Sequence, residues 1–274
     1  MTKTYNHALI TGGSSGIGRA IAQQLVRSGS NVCIIARTQT KLDAVEAELE
    51  LLKLHPDQQV VVLVADVSEQ KQVEQVISVA IAQLGAPDLL ITAAGIAHPG
   101  YFAELPIAIF EQTMGVNYWG TLYCIKAALP SMMQQGKGHI VVISSGAGLI
   151  GLYGYTPYSP SKFAVRGLAE SLRGELKVAG LQLSIVYPPD TETPQLEIEN
   201  KTKPVETKHI TASAQTITAD HAARAILQGV ERQAFSISPG MEMSLLMRFH
   251  SLCSPLLQWY FDRIVMRVRS NFET

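Results

Sequence analysis

The sequence has few cysteines and no apolar segment of bilayer length. Its 274 residues include only three cysteines, Cys33, Cys124 and Cys253, which lie far apart in apolar surroundings. An odd number at such spacing predicts neither a disulfide framework nor a zinc site, and it favours reduced thiols in a cytoplasmic protein. The first residues pass directly into a strand pattern without an apolar signal region, so we do not expect secretion.

The sequence also lacks an excess of charge of either sign. Only 16% of the residues are charged, the formal net charge is −1, and no long run of either sign occurs. A surface that binds nucleic acid by its charge is therefore not expected. Hydrophobic residues make up 47% of the chain, which is enough for the large core of one globular domain.

Strand and helix patterns alternate through most of the chain. Short continuous apolar runs, typical of strands buried on both faces, precede each helix pattern. Such repeated βα units predict an α/β fold with a doubly wound parallel sheet, helices on both faces, and ligands at the carboxyl ends of the strands. We expect this single domain over residues 1–240. Residues 241–274 are expected to form a helical C-terminal extension of the same domain, split into two amphipathic helices at Pro255.

The first strand pattern covers residues 8–11, and a glycine-rich turn follows it. Glycines there allow a tight turn and a close approach of the backbone to a pyrophosphate, while the next helix offers its N-terminal amides to the anion. The turn predicts the dinucleotide site of a Rossmann fold, and a merely flexible turn is the alternative. The cofactor-binding candidates of this turn are Gly12, Ser14, Ser15, Gly16, Ile17 and Gly18.

Arg37, just after the second strand pattern, bears on the choice of cofactor. Dehydrogenases that prefer NAD place a carboxylate there, which would repel the additional phosphate of NADP. An arginine can instead bind that phosphate and stack on the adenine, so the expected cofactor is NADPH/NADP+. A solvated arginine that opens a helix is the alternative.

Tyr158 and Lys162 are four residues apart and so share one face of a predicted helix. A neighbouring ammonium would lower the pKa of the phenol and make Tyr158 a general acid and base. Ser145 follows a buried strand pattern and could hold a substrate carbonyl. Asn117 lies within a long apolar helix pattern over residues 110–133, where its amide must be paired. Structural pairing alone is the alternative to a catalytic role for Asn117.

These motifs resemble the short-chain dehydrogenase/reductase family, which is marked by Tyr-x-x-x-Lys with an upstream serine and by the glycine spacing G-x-x-x-G-x-G. The resemblance implies that Ser145 polarises a ketone and that Tyr158 protonates the forming alkoxide. It also implies that Lys162 holds the nicotinamide ribose, and that Asn117 completes a proton relay. A homodimer or homotetramer through helices around residues 110–133 and 157–178 is implied too. The further cofactor contacts it implies are Asp66, Val67, Ala94, Gly95, Pro188, Thr191 and Thr193.

The chain departs from that family at three places. Thr92 and Ala93 replace two asparagines after the fourth strand, so we expect lower local rigidity with activity retained. Pro160 stands between Tyr158 and Lys162, where we expect a local distortion of the helix without loss of catalysis. Pro189 replaces a glycine in the segment that would bind the nicotinamide.

The segment over residues 187–194 resembles one branch of the family, the 3-ketodihydrosphingosine reductases, which use NADPH. This resemblance extends over roughly residues 7–235 and implies a lipid-like ketone substrate with a long alkyl chain and an ammonium group. A broader carbonyl reductase acting on acyl thioester, steroid or retinoid ketones is an alternative, and a non-catalytic NADPH-binding protein is another. The residues assigned to the substrate are Leu152, Tyr153 and Tyr155 as apolar walls and Asp190 or Glu192 as ammonium contacts, although turn formation explains these two acids equally well.

The C-terminal extension carries apolar faces together with Trp259, Tyr260 and several arginines. Charged residues break every apolar run of bilayer length, so a spanning helix is not expected. The extension could lie on a membrane surface, cover the substrate cleft or pack against another subunit. Packing is favoured, because an amphipathic stripe more often belongs to a core. We therefore expect a cytoplasmic protein, with peripheral membrane contact through these helices as an open alternative.

Overall fold

Seven parallel strands form the centre of the molecule, whose computed structural model describes residues 3–212 and 216–270. All of these strands are short, and the inner ones are buried on both faces, which explains their continuous apolar sequences. The strands in chain order are β1 (Ala8–Thr11), β2 (Val32–Ala36), β3 (Val60–Val64), β4 (Leu89–Thr92), β5 (His139–Ile143), β6 (Gln182–Val186), β7 (Thr191–Glu192), β8 (Ile217–Thr218) and β9 (Ser236–Ile237).

The order of strands in the sheet is β3-β2-β1-β4-β5-β6-β9, and every neighbouring pair is parallel. The direction of winding reverses between β1 and β4. A doubly wound sheet opens its ligand crevice at such a switch point, outside the carboxyl ends of the strands. β7 and β8 pair with each other outside the sheet. The predicted Rossmann-type fold is confirmed.

Helices cover both faces of the sheet. Side chains of α3, α5 and α6 pack into one core, and side chains of α1, α2 and α9 pack into the other. Strand residues alternate between the two, so that Leu9 enters the first core and Ile10 the second. The helices are α1 (Gly16–Arg27), α2 (Gln39–Glu50), α3 (Gln70–Leu84), α4 (Ile107–Met114), α5 (Gly120–Gln135), α6 (Tyr158–Val178), α7 (Pro194–Thr202), α8 (Val205–Thr211), α9 (Ala219–Glu231) and α10 (Met241–Ser270).

Two helix predictions are corrected by the structure. The continuous helix expected over residues 110–133 is interrupted by one turn of π-helix, Gly115–Trp119, between α4 and α5. The distortion expected at Pro160 is absent, since α6 runs without a break from Tyr158. Pro160 is the third residue of that helix, where its missing N–H has no partner within the helix in any case.

The extension is also a single helix, not two. α10 continues through Pro255 and packs Met243, Leu257 and Phe261 against the core. Contacts of this kind stabilise a helix through an interior proline, which by itself costs roughly 3 kcal/mol. Residues 271–274 of the predicted extension lie outside the described residues. Among the described helices, none has the length and apolar character needed to cross a bilayer.

Candidate active site

The backbone of the turn between β1 and α1 packs closely against the backbone at the end of β4. Gly12 and Gly16 have φ angles of 71° and 54°, a region that favours glycine. A Cβ atom on Gly12 would lie 2.6 Å from the backbone nitrogen of Ala94, and one on Gly18 would lie 2.5 Å from the carbonyl oxygen of Gly12. Side chains are therefore excluded, and the open turn at the N-terminus of α1 fits a dinucleotide pyrophosphate. Ser14, Ser15 and Ile17 line the same cleft.

Arg37 lies at the rim of the cleft, directly after β2. Its side chain is 50% exposed, and its Nη1 atom lies 3.9 Å from Oδ2 of Asp66. The other carboxylate oxygen of Asp66 accepts hydrogen bonds from the amide and hydroxyl of Ser68 at 2.9 and 2.7 Å. Val67 is part of the cleft lining, whereas Asp66 is not. Asp66 thus positions Arg37 and stabilises the turn before α3, and its predicted contact with adenine stays a prediction.

The backbone just after β4 lies between two of the catalytic candidates, Asn117 and Lys162. A Cβ atom on Gly95 would lie 3.3 Å from Oδ1 of Asn117 and 3.5 Å from Nζ of Lys162. The amide of Ala94 donates to Oγ1 of Thr11 at 3.3 Å, a hydrogen bond that ties this segment to β1. Part of the connection that the family's asparagines would provide is therefore made by Thr11. The lower rigidity expected here stays a prediction.

Tyr158 and Lys162 lie one turn apart at the start of α6, as the spacing predicts. The Nζ atom of Lys162 is 5.5 Å from the centre of the Tyr158 ring, and it donates to the carbonyl oxygen of Ile143 at 3.0 Å. Ser145 follows β5; its Oγ accepts from the amide of Ala147 at 3.2 Å, and it forms a hydrogen bond with Tyr158 that lowers the pKa of the phenol. All three predicted residues line the cleft.

The net shift of the Tyr158 pKa is opposite to the predicted one. Burial raises the pKa of the phenol, the negative charge of Glu199 raises it further, and the hydrogen bond with Ser145 offsets only part of the rise. Burial also lowers the pKa of Lys162 to about 8. The prediction was wrong because the ammonium of Lys162 donates to the carbonyl of Ile143, and burial of the phenol outweighs any effect of that ammonium on its pKa. Tyr158 is consequently protonated at neutral pH, as a proton donor must be.

Asn117 lies in the π-helical turn and is almost fully buried. Its Oδ1 accepts from the amide of Ile96 at 2.9 Å, while its Nδ2 donates to the carbonyl of Ile96 at 3.0 Å and to Oγ of Ser161 at 2.8 Å. Both amide hydrogens are thereby used within the protein. The side chain connects the loop after β4 to α6, and one turn of π-helix is a common device for aiming a functional side chain.

The segment after β6 forms one wall of the cleft. Pro188, Thr191 and Thr193 all line it, and their predicted contacts with the cofactor stay predictions. Thr193 caps α7 by accepting from the amide of Leu196 at 3.3 Å, and a Cβ atom on Gly16 would lie 2.9 Å from its methyl group. The cap of α7 is therefore in van der Waals contact with the glycine turn, so both halves of the cleft are built against each other.

A buried carboxylate in the cleft, Glu199 on α7, escaped the sequence analysis. Its Oε2 accepts from the hydroxyl of Tyr155 at 2.7 Å and its Oε1 accepts from Nε2 of Gln195 at 2.8 Å. Asp190 lies in the same lining and is paired with Lys203 at 3.3 Å. The sequence of α7 is mostly polar, and its apolar residues Leu196 and Ile198 gave no periodic signal that Glu199 would be buried.

The predicted substrate residues are only partly brought together. Leu152 and Tyr155 line the cleft, but Tyr153 does not; its hydroxyl accepts from Nη2 of Arg269 at 3.1 Å. Glu192 is exposed and lies outside the lining, because β7 turns it away from the cleft. The expectation for Glu192 is therefore wrong, and that for Tyr153 is replaced by a contact with α10.

Comparison with known proteins gives the family. The sequence family described as short chain dehydrogenase matches residues 6–204. The chain belongs to this family. The 3-ketodihydrosphingosine reductase of Mus musculus is 40% identical over 237 residues, which are 86% of this chain and 71% of that protein. The 3-dehydrosphinganine reductase of Danio rerio is 39% identical over 251 residues, which are 91% of this chain and 76% of that protein.

Solved structures agree with the family. A short-chain dehydrogenase from Sphingobium yanoikuyae in complex with NADPH is 26% identical, superposes with a TM-score of 0.77, and aligns over 90% of this chain and 91% of its own. A short-chain dehydrogenase/reductase from Burkholderia phymatum in complex with NAD reaches a TM-score of 0.81 at 23% identity, over 92% of this chain and 95% of its own. At that identity the second comparison shows the fold alone.

Proposed function

We propose that the protein reduces the ketone of 3-ketodihydrosphingosine to the alcohol of dihydrosphingosine, with NADPH as the cofactor. The observation that carries this proposal is the similarity to the vertebrate reductases named above, which extends over most of the chain. The cleft supports it, since Ser145, Tyr158 and Lys162 lie together at its floor and Arg37 stands where an NADP phosphate would lie.

The catalytic residues have separate tasks in this proposal. The hydroxyls of Ser145 and Tyr158 hold the ketone oxygen, and Tyr158 gives its proton to that oxygen as the alkoxide forms. Lys162, whose ammonium is fixed by the carbonyl of Ile143, would hold the nicotinamide ribose. NADPH, when bound, supplies the hydride, and the residues that would hold it are those of the glycine turn, Arg37 and Lys162.

Asn117 acts as a positioning residue in this proposal, not as part of the proton relay. Both hydrogens of its amide are engaged by Ile96 and Ser161. It thereby fixes the loop after β4 against the helix that carries Tyr158 and Lys162. We infer that the proton relay implied by the family resemblance does not use the Nδ2 hydrogens of Asn117.

The deciding experiment follows NADPH oxidation by the purified protein with 3-ketodihydrosphingosine. NADH and an acetoacetyl thioester are measured under the same conditions, with Tyr158→Phe as the inactive control. Turnover of the sphingoid ketone that prefers NADPH is the expected result. Turnover of the thioester alone would indicate a broader carbonyl reductase. Equal rates of NADPH oxidation by the wild type and by Tyr158→Phe would indicate a protein that binds the cofactor without catalysis.

We also propose that the protein lies on anionic membranes through α10. The outer side of this helix presents an apolar stripe at alternating spacings of four and three residues, which we call the α10 stripe. α10 also carries four arginines and two acids, an excess that suits an anionic lipid surface. The stripe consists of Leu245, Phe249, Leu252, Leu256 and Trp259, all of them exposed.

Vesicle flotation tests this membrane proposal. Wild-type protein is expected to float with vesicles that contain about one third phosphatidylserine, and the double variant Leu252→Ser, Leu256→Ser is expected to remain in the dense fraction. Leu51→Ser is the matched control, because Leu51 is 87% exposed and lies outside α10. A wild-type protein that does not float, or a double variant that floats equally well, would reject the proposal.

We propose further that two copies associate through the helices around the π-helical turn and α6. Trp119 and Phe163 are exposed there by 43% and 41%, and α6 packs against the π-helical turn, so the two side chains belong to one region of the surface. Sedimentation velocity is expected to show a dimer or tetramer that Phe163→Glu dissociates. Phe249→Glu, on the α10 stripe, is the control; dissociation by this variant alone would place the second copy on α10 instead.

A further inference from the structure

Glu199 is a carboxylate in a place where a folded protein ordinarily buries an apolar side chain. It is the only buried residue of α7 among the helix's nine, with 7% of its surface exposed. Taking a carboxylate out of water is costly unless opposite charge or hydrogen bonds compensate. Because α7 buries no other residue, the burial of Glu199 adds little to the stability of this helix. The buried carboxylate therefore requires a functional explanation.

The partners of Glu199 are neutral. Tyr155 and Gln195 donate one hydrogen bond each, and among the described residues no lysine, arginine or histidine lies within salt-bridge distance of the carboxylate. A carboxylate has about four lone-pair sites. Two of them are occupied, which leaves room for a cationic donor.

The position of Glu199 relates it to the reacting end of the cleft. The ring of Tyr155, whose hydroxyl it accepts from, lies 5.7 Å from the ring of Tyr158 between centroids. Its charge acts on both catalytic groups, because it adds to the rise that burial causes in the pKa of Tyr158 and opposes the fall that burial causes in the pKa of Lys162. The hydroxyl that holds Glu199 thus belongs to a ring that packs against the ring of the proton donor, and all three residues line the cleft.

The two acids considered from the sequence are less suitable. Asp190 already has a buried cationic partner, since Lys203 is only 6% exposed and its Nζ lies 3.3 Å from the carboxylate. Glu192 is exposed and outside the cleft. Of these three carboxylates, Glu199 is the one that is both inside the cleft and without a cation.

We propose that Glu199 binds the ammonium group that neighbours the ketone of the substrate, and so selects amino ketones over uncharged long-chain ketones. This inference rests on the function proposed above. The ammonium sits on the carbon next to the carbonyl carbon, so a carboxylate close to Tyr158 can reach it while Tyr158 holds the ketone oxygen. Tyr155 and Gln195 fix the direction in which the carboxylate points.

The test compares two substrates that differ only in the amino group: the sphingoid amino ketone and the same long-chain hydroxyketone without its amine. Glu199→Gln keeps the size of the side chain and removes its charge. The ratio of kcat/KM for the amino ketone over the uncharged ketone is expected to fall by about 10- to 100-fold, the range for a hydrogen bond to a charged group. Any effect of the lost charge on Tyr158 and Lys162 is common to both ketones and cancels in this ratio. Glu197→Gln removes the same charge from an exposed position of α7, and both kcat/KM values are expected to stay unchanged.

Each other outcome has a definite meaning. Equal loss on both ketones, or no loss on either, would overturn the role of Glu199 and leave the proposed function intact. A wild-type protein that reduces only the uncharged ketone would overturn the proposed function together with the role. Should Glu199→Gln fail to fold, Glu199→Asp decides: an intermediate preference for the amino ketone is expected, and a preference equal to that of the wild type would refute the assignment.

Discussion

Replacement of Asn117 by alanine tests how the site is held together. The variant removes three hydrogen bonds, two with the backbone of Ile96 and one with Ser161. At about 1 kcal/mol each, the free energy of unfolding should fall by about 3 kcal/mol. For a chain of this size that corresponds to a melting temperature lower by about 6 to 12 °C. The loss should not be smaller, because the freed groups of Ile96 are partly buried.

The assay is chemical denaturation at neutral pH, followed by circular dichroism, together with thermal scans. Asn200→Ala is the matched control, since Asn200 is exposed on α7 and its change should stay within about 0.5 kcal/mol. Asn117→Asp should cost at least as much as alanine, because an oxygen would then face the carbonyl of Ile96. A loss below about 1 kcal/mol in Asn117→Ala would refute the argument that this side chain connects the β4 loop to α6.

Three further variants examine the cofactor, the chemistry and the pH dependence of stability. Arg37→Ala should lower the ratio of kcat/KM for NADPH over NADH by about tenfold or more, because a charge-assisted contact to the phosphate is lost; an unchanged ratio would place that phosphate elsewhere. Tyr158→Phe should lower kcat by about 10²- to 10⁴-fold with the unfolding midpoint retained, and substantial residual turnover would exclude Tyr158 as the proton donor. Burial lowers the pKa of His139 to about 4, so the folded state prefers the neutral ring, and stability is lost as pH falls from about 6.5 to about 4. His139→Gln should reduce by about 3 kcal/mol the difference between the free energies of unfolding at pH 7 and at pH 4. An equal pH dependence of stability in the wild type and the variant would contradict this. His221→Gln, at an exposed position, is the control and should leave that pH dependence unchanged.

The stretches that sequence alone determined share one property: their signal is local. A continuous apolar run identifies a strand buried on both faces, and alternation of such runs with helices leaves few topologies other than the doubly wound sheet. The glycine turn carries a local signal as well, because Gly18 packs against the carbonyl of Gly12 in the same turn, although the close neighbour of Gly12 itself is Ala94 at the end of β4. The spacing of Tyr158 and Lys162 placed them on one helix face for the same reason.

Only the tertiary structure decided matters that depend on segments far apart in the chain. The direction of the Tyr158 pKa shift follows from burial and from Glu199, which lies on another helix. The pairing of Asn117 needs the loop at Ile96 and the start of α6 at Ser161. α10 remains one helix through Pro255 because the core supports its inner face. Glu199 is a cleft residue because the folded chain buries this one carboxylate of α7, and burial is a property of the folded surface and not of the sequence around it.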